Sequence, residues 1–378
     1  MGKQIRASVT IIGAGVTGLM LAKKLSALGI HVILIEAGDK LANGASTRNE
    51  GWLHRGTYHA TSIADRPTAI RVARRCIYGH EWVKHYCPEA IEDTLTPSYA
   101  LMRDANRAEE MVSRWDEAGV SYKQISIDGL IRIAPNVIPD PIYAVFEVKD
   151  TAMNPRILYK KLLIECLANG AQIYPCTQIT FKNEHIAYIN TRDGESIQLQ
   201  SDFYVHTAGY GIRDIFNTQF GIDIPMRYWK SHLLVVDRLA KVGVFYLDPH
   251  EAAMMNHDGY SVIGVNEDVI PCTEPSFTPT PDKISETFIA LNRLFRLNPN
   301  TRYTAMACTK VDMAEKSDLA RSLDISITKP FDNHWCVLPG KMTEAPHVAD
   351  IVTRHLYGYI GDDHIALRPM DMLGEAGD

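Results

Sequence analysis

Residues 7–12 form an apolar, β-branched run that ends on Gly13-Ala14-Gly15-Val16-Thr17-Gly18, and this junction constrains the fold more than any other part of the chain. After it, Val16, Leu19, Leu21, Ala22, Leu25 and Leu28 supply apolar surface at helical spacing, and Gly29 closes the helix. A second β-rich run at 31–35 then ends on Glu36. Strand, tight turn, helix, strand and acid, in that order, open a dinucleotide-binding parallel sheet. Gly13 allows the turn off the strand, Gly15 lets a pyrophosphate approach the backbone and the helix N-terminus, and Gly18 lets the helix lie close to the sheet. Glu36 can accept hydrogen bonds from the adenosine ribose hydroxyls. The glycines alone would be weak evidence, but the ordered context makes this a dinucleotide binder.

At 378 residues the chain can bury a large core and divides naturally into two or three domains. A net charge of -6 gives no electrostatic reason to expect nucleic acid or an anionic membrane surface. The seven cysteines are odd in number and form no CxxC pair, which argues against a disulfide framework or a zinc site and for a reducing compartment. No signal-like apolar region precedes the first strand and no segment has the length and apolarity of a membrane span. A cytoplasmic location is the expectation.

Farther along, residues 40–60 are irregular, and helices are predicted over 65–86 and 104–119. Arg71, Arg74 and Arg75 are expected on a solvated face of the first of these. A better-marked helix follows: Asn154 is a fitting N-cap, Pro155 suits the first helical position, and Gly170 suits the residue beyond the end. Strands are predicted at 171–176, 178–183, 186–191 and 197–206, the last running into Ala208-Gly209. Alternating runs at 228–237, 243–248 and 259–265 suggest an antiparallel meander, with His257-Asp258-Gly259 as a turn. A helix from Thr280-Pro281, strands at 301–312 and 323–328, and a final helix of about 343–357 complete the pattern. The expected fold is α/β: a Rossmann-like dinucleotide domain assembled from 1–85, 150–220 and 328–378, with a mostly antiparallel β substrate domain inserted as 86–149 and 221–327.

The segment Gly44-Ala45-Ser46-Thr47-Arg48-Asn49-Glu50-Gly51-Trp52-Leu53-His54-Arg55-Gly56-Thr57-Tyr58 resembles the stretch after the ribose-binding acid in FAD-dependent oxidoreductases of the D-amino-acid oxidase superfamily. That group includes glycine and sarcosine oxidases, L-2-hydroxyglutarate dehydrogenase and the flavin-linked glycerol-3-phosphate dehydrogenases. The resemblance covers nearly the whole chain, since the 154–170 helix with Ile179 after it, the strand ending in Ala208-Gly209, and Pro339-Gly340-Lys341-Met342-Thr343 fall in the family's order. It implies a glutathione-reductase-like FAD domain. Gly13, Ala14, Gly15, Val16, Thr17, Gly18, Glu36, Ala37, Gly44, Ala45, Ser46, Arg48, Asn49, Gly51, Ile179, Ala208, Gly209, Gly340, Lys341, Met342 and Thr343 are the implied cofactor contacts.

Lys230-Ser231-His232 and Gly340-Lys341-Met342-Thr343 look most like the glycerol-3-phosphate branch, whereas 45–58 is closer to the hydroxyglutarate branch. Where several branches place an Arg-Pro that clamps an anionic substrate, this chain has Cys308-Thr309-Lys310-Val311-Asp312. A lysine supplies charge there but not the planar two-pronged contact of arginine.

Among candidate catalytic residues, His54 falls where the resemblance places a residue facing the flavin. It is read as a base toward a substrate hydroxyl or ammonium, as a covalent flavin attachment point, or as a histidine packed under the ring. Lys230 and His232, two apart on one strand, share a face and can bind a carboxylate or phosphate, as can Lys310. Backbone N–H groups around Gly340 and the charge of Lys341 can stabilise negative charge on a reduced ring. Cys308 is read as a flavin attachment point or as a small buried hydrophobe. No metal is called for.

The resulting expectation is hydride transfer to FAD from a CH–OH centre of a small anionic substrate, with oxygen, a quinone or an electron-transfer protein taking the electrons onward. Amine or amino-acid oxidation is the alternative within the class. A nicotinamide-only dehydrogenase and a non-catalytic flavoprotein are the readings outside it.

Overall fold

A computed structural model describes residues 3–92, 97–267, 269–298, 300–315 and 321–358. The part of the expected 328–378 segment beyond 358 lies outside the described residues. The chain divides into two compact units. The described residues of Met1–Thr47, Leu158–Tyr228 and Lys310–Pro369 form one, and those of Arg48–Ile157 and Trp229–Thr309 the other.

The first unit is built on β1 (Gln4–Ile12), whose inner half carries Val9, Ile11 and Ile12 with almost no exposure. The helix α1 (Val16–Ala27) returns the chain to β2 (Val32–Ile35), which pairs parallel with β1 in the register Val9–Val32 to Ile12–Ile35. The four side chains of β2 are all buried, the pattern of a parallel strand covered on both faces. Helix α2 (Pro155–Ala168) starts where expected: the Asn154 Oδ1 accepts the Arg156 N–H at 3.1 Å, and Gly170 follows the helix in a left-handed conformation.

Beyond α2 come β3 (Gln172–Tyr174), β4 (Gln178–Phe181), β5 (Ile186–Asn190) and β6 (Ser196–His206). β3 pairs parallel with β2, and β4 and β5 form an antiparallel extension beside the first half of β6. β6 is parallel to β1 along its length, so that Ile12 and His206 are register partners at the point where both strands end. Helix α3 (Gly211–Phe220) follows, then β7 (Ser326–Phe331) and β8 (His334–Leu338), the latter parallel to the last three residues of β6. Helix α4 (Ala345–Tyr357) packs on α1, and the Lys24 ammonium is paired with the Asp350 carboxylate. This is the expected Rossmann-like sheet with its short antiparallel additions.

In the second unit a mostly antiparallel sheet runs in the order Val269–Cys272, Met226–Asp237, Tyr260–Val265, Ala252–Asn256, Val244–Tyr246, Ser98–Met102, Ala144–Val148, Tyr122–Ile125. The pairing of Val244–Tyr246 with Ser98–Met102 is parallel. One face of this sheet packs Met102 and Phe146 against Trp115 of the helix Ala105–Ala118, and the other packs Leu101, Val145 and Leu234 against Leu291 of Pro281–Leu294. A small sheet of Trp52–Leu53, Thr151–Met153 and Ile91–Glu92 completes the unit.

Three expectations need correction. The strand predicted at 323–328 lies at Ser326–Phe331. Ala252–Asn256 is an additional strand that its residue types do not announce, because Ala and Met carry little β-preference; all five residues are buried between paired neighbours. Arg71, Arg74 and Arg75 are half-buried, and Arg74 donates to the Glu117 carbonyl at 2.9 Å, because their helix Arg66–Tyr86 packs beside Ala105–Ala118.

Candidate cofactor and active-site residues

At the C-terminal ends of β1, β2 and β6 the first unit gathers the residues of the opening motif. Gly13 has φ +103°, and a Cβ there would fall 2.5 Å from the Ala208 Cα. Thr207 ties the same crossing, its Oγ1 donating to the Gly13 carbonyl at 2.7 Å. Gly15 is the N-cap of α1 and offers no side-chain cap of its own. Instead, the Ser46 Oγ accepts the Val16 N–H at 3.0 Å. Thr17 and Gly18 continue the buried first turn.

Glu36 is the fixed acid of this corner. Its Oε2 accepts the Ala14 N–H at 2.9 Å and its Oε1 the Gly38 N–H at 2.8 Å, while Ala37 between them is exposed. Each carboxylate oxygen has further lone pairs, so the group retains acceptor capacity for hydroxyls. The segment 42–47 folds back on the α1 start: the Ala42 N–H donates to the Ala14 carbonyl at 2.9 Å, and the Thr47 Oγ1 donates to the Ala42 carbonyl at 2.7 Å. Gly44, Ala45 and Ser46 are carried on this fold.

The turn after β8 belongs to the same unit. Gly340 has φ +63°, and a Cβ would lie 2.7 Å from the Leu323 carbonyl oxygen and 2.8 Å from that of Asp324. Lys341 and Met342 are half-buried, and Thr343 is buried just before α4. Tyr159 on α2 reaches both segments, its hydroxyl 2.8 Å from the Ser46 carbonyl oxygen and 3.1 Å from the Met342 Sδ. Ile179 is buried in the core formed with Ile12 and Ile33, and its carbonyl accepts the Gln219 Nε2 at 3.3 Å. Lys310 opens the last segment of this unit and is half-buried.

In the second unit His54 is buried beside Asp150, with Nδ1 4.0 Å from a carboxylate oxygen. Asp150 is fully enclosed and collects donors from one stretch of chain: the Trp52 Nε1 at 3.0 Å, the Arg55 N–H at 3.1 Å and the Thr57 hydroxyl. Burial pushes its pKa up, against the pull of the hydrogen bonds from Thr57 and Arg55. Rings crowd His54, with Trp52 at 4.4 Å and His59 edge-on at 4.3 Å between centroids.

The other predicted residues of this unit are held at separate points. The Arg48 guanidinium lies over the Phe277 ring at 4.9 Å, the Asn49 Oδ1 accepts the Gly51 N–H at 2.9 Å, and the Gly51 carbonyl accepts the Met153 N–H at 2.7 Å. His232 is buried, Lys230 donates to the Thr280 Oγ1 at 3.0 Å, and Cys308 is buried.

Against known proteins, the sequence model of the family described as FAD dependent oxidoreductase (DAO) matches residues 8–315. The chain belongs to this family. A curated relative, one of the subunits of the anaerobic glycerol-3-phosphate dehydrogenase of Escherichia coli (strain K12), is 30% identical over 238 residues, which is 61% of this chain and 42% of that protein. The chain therefore spans less than half the length of that relative. Two solved structures share the fold. L-alpha-glycerophosphate oxidase of Mycoplasma pneumoniae with FAD bound has a TM-score of 0.75 at 17% identity, covering 94% of this chain and 96% of that one. Glycine oxidase of Geobacillus kaustophilus has a TM-score of 0.73 at 14% identity, covering 96% of this chain and 99% of that one.

This FAD-dependent oxidoreductase has residues that fit its cofactor. Gly13 makes the tight turn against the Ala208 backbone that a Cβ would forbid, Glu36 is fixed beside it by two backbone donors and keeps acceptor capacity, and α1 presents its N-terminus at the same corner. Three residues had no distinguishing signal in the sequence. Asp150 follows Glu147 and Lys149 in what reads as ordinary surface charge, Thr207 is a single hydroxyl at a strand end, and Tyr159 a single aromatic on an ordinary helix. Arg321 is a fourth: it grips Asp312 through two nitrogens at 2.8 and 3.2 Å, on the strand Tyr303–Met313 that also carries Lys310.

Proposed function

We propose that this oxidoreductase oxidises a small polar, anionic substrate at a CH–OH centre, with His54 as the base. The observation that carries this is the pairing of a buried imidazole with a fully buried carboxylate, His54 with Asp150, on a segment that also gives that carboxylate three donors. An imidazole so placed can receive a hydroxyl proton while the neighbouring acid offsets the charge it gains. Bound FAD supplies the two-electron acceptor for the hydride. The chain's own contribution is to hold the proton acceptor, exclude water from it with the Trp52 and His59 rings, and supply cations for the substrate's negative group.

Lys310, Lys230 and His232 are the proposed anion binders. A preference for a hydroxyl substrate is supported by the glycerol-3-phosphate dehydrogenase relative, and the oxidant that restores the flavin is oxygen, a quinone or an electron-transfer protein. A cytoplasmic location belongs to the same proposal, supported by an odd set of cysteines without a CxxC pair. No helix among the described residues is long and apolar enough to cross a membrane.

Anaerobic mixing of the flavin-loaded protein with a panel of hydroxy acids, polyol phosphates and amino acids tests the proposal. Bleaching by a hydroxy acid or polyol phosphate, lost in His54→Ala, is the expected result. Bleaching by amino acids with the alcohols inert would replace it with CH–NH oxidation.

A further inference from the structure

Tyr159 contributes one hydroxyl hydrogen and meets two acceptors, the Ser46 carbonyl oxygen at 2.8 Å and the Met342 Sδ at 3.1 Å. The residue is 6% exposed, and burial holds its phenol far from ionisation, so the group remains a neutral donor at any working pH. Ser46 is not a passive acceptor. Its own Oγ takes the Val16 N–H at the start of α1, and its segment is anchored to the Ala14 carbonyl through Ala42. Met342 lies in the turn that Gly340 forms beneath the Leu323 and Asp324 carbonyls.

We infer that Tyr159 is a positioning residue that couples the pyrophosphate corner of the FAD cradle to the turn at Gly340–Thr343, making the two ends bind the cofactor as one. The inference rests on the assignment of that turn to the flavin end of FAD.

The physical basis is the shared hydrogen. A single O–H cannot satisfy both acceptors fully, so a shift of Met342 changes how firmly the Ser46 carbonyl is held, and a shift of Ser46 acts back on Met342. Such coupling is reciprocal by thermodynamic necessity. Phenylalanine at 159 keeps the ring and the packing on α2 and deletes only the hydroxyl. It leaves the carbonyl of the half-buried Ser46 short of one donor at the segment that caps α1.

Binding of FAD and of ADP to the flavin-stripped full-length protein separates coupling from plain structural support, because ADP engages only the α1 corner. Tyr159→Phe is expected to weaken FAD by about three- to tenfold, in the range of one hydrogen bond, and ADP by less, because ADP loses only the support of Ser46 at the α1 corner. Met342→Leu removes the competing sulfur acceptor, keeps the volume, and is expected to change FAD affinity in the parent but not in the Tyr159→Phe background. The reduction potential of the bound flavin is expected to move in Tyr159→Phe. Equal weakening of FAD and ADP, no weakening of either, or additive effects of the two substitutions would each overturn the coupling. No substrate is needed, so these outcomes are independent of the proposed reaction.

Discussion

The Nδ1 of His334 lies 3.1 Å from the Nε2 of His206 in the interior of the first unit, and the direction of that hydrogen bond follows from its surroundings. The His334 Nε2 lies 2.9 Å from the Glu184 carbonyl, which can only accept, so Nε2 of His334 carries hydrogen. A neutral His334 then accepts at Nδ1 and His206 donates from Nε2. Phe181, Phe216 and Phe220 enclose the pair. Burial lowers both imidazole pKa values, His206 well below the ordinary range and His334 to about 4.

Acid stability is the consequence. The unfolded chain takes up protons at these histidines near their ordinary pKa of about 6.5, while the folded chain refuses them until far lower. Stability is therefore full above about pH 6.5 and is lost as pH falls toward about 4, by an amount of the order of 3 kcal/mol for His334 alone. Urea unfolding across this range is expected to show that slope, and His334→Gln is expected to flatten it while lowering stability at neutral pH. An unchanged slope in the variant would show that the pair does not govern the acid limb.

How much is legible in the sequence depends on whether the cause is local. The β1–α1–β2 unit can be read because β-branched runs, helical spacing and the acid at 36 all report on neighbours in sequence. The start of α2 is equally local, since Asn154 and Pro155 act on the turn that contains them. Asp150 and Tyr159 have causes at a distance. The first is defined by donors nearly one hundred positions earlier, at Trp52, Arg55 and Thr57, and the second by Ser46 and Met342. A strand such as Ala252–Asn256 is formed by its paired neighbours and not by its own residues, so no window along the chain reveals it.

Gly13 is the position where one methyl group would do most harm. Its φ of +103° is strained for any L side chain, and the added carbon would fall 2.5 Å from the Ala208 Cα and 2.7 Å from the Ala208 backbone nitrogen, neither of which can rotate away. Gly13→Ala is expected to cost roughly 3 kcal/mol or more and to abolish retention of FAD. Thermal unfolding and the visible spectrum of the purified variant measure the two effects. A yellow protein of normal stability would mean that the β1–α1 turn does not hold the cofactor's phosphates.

Asp150 offers a sharper separation of fold from chemistry. Three donors from 52–57 converge on its carboxylate, and an asparagine offers one acceptor oxygen in place of two while turning an NH2 toward the remaining donors. Asp150→Asn is expected to destabilise the protein by roughly 3 kcal/mol, because it leaves enclosed donors opposed to one another. Its denaturant midpoint should fall with the slope unchanged, since the same surface is exposed on unfolding. FAD affinity should fall less than turnover, because the Trp52, Arg55 and Thr57 groups that hold the Asp150 carboxylate are not those that fix Glu36. Turnover should drop at least tenfold with little change in KM, as expected when a proton acceptor is misplaced in the transition state but substrate binding is retained. Normal turnover in a folded, flavin-loaded Asp150→Asn protein would remove His54 and its neighbouring acid from the reaction.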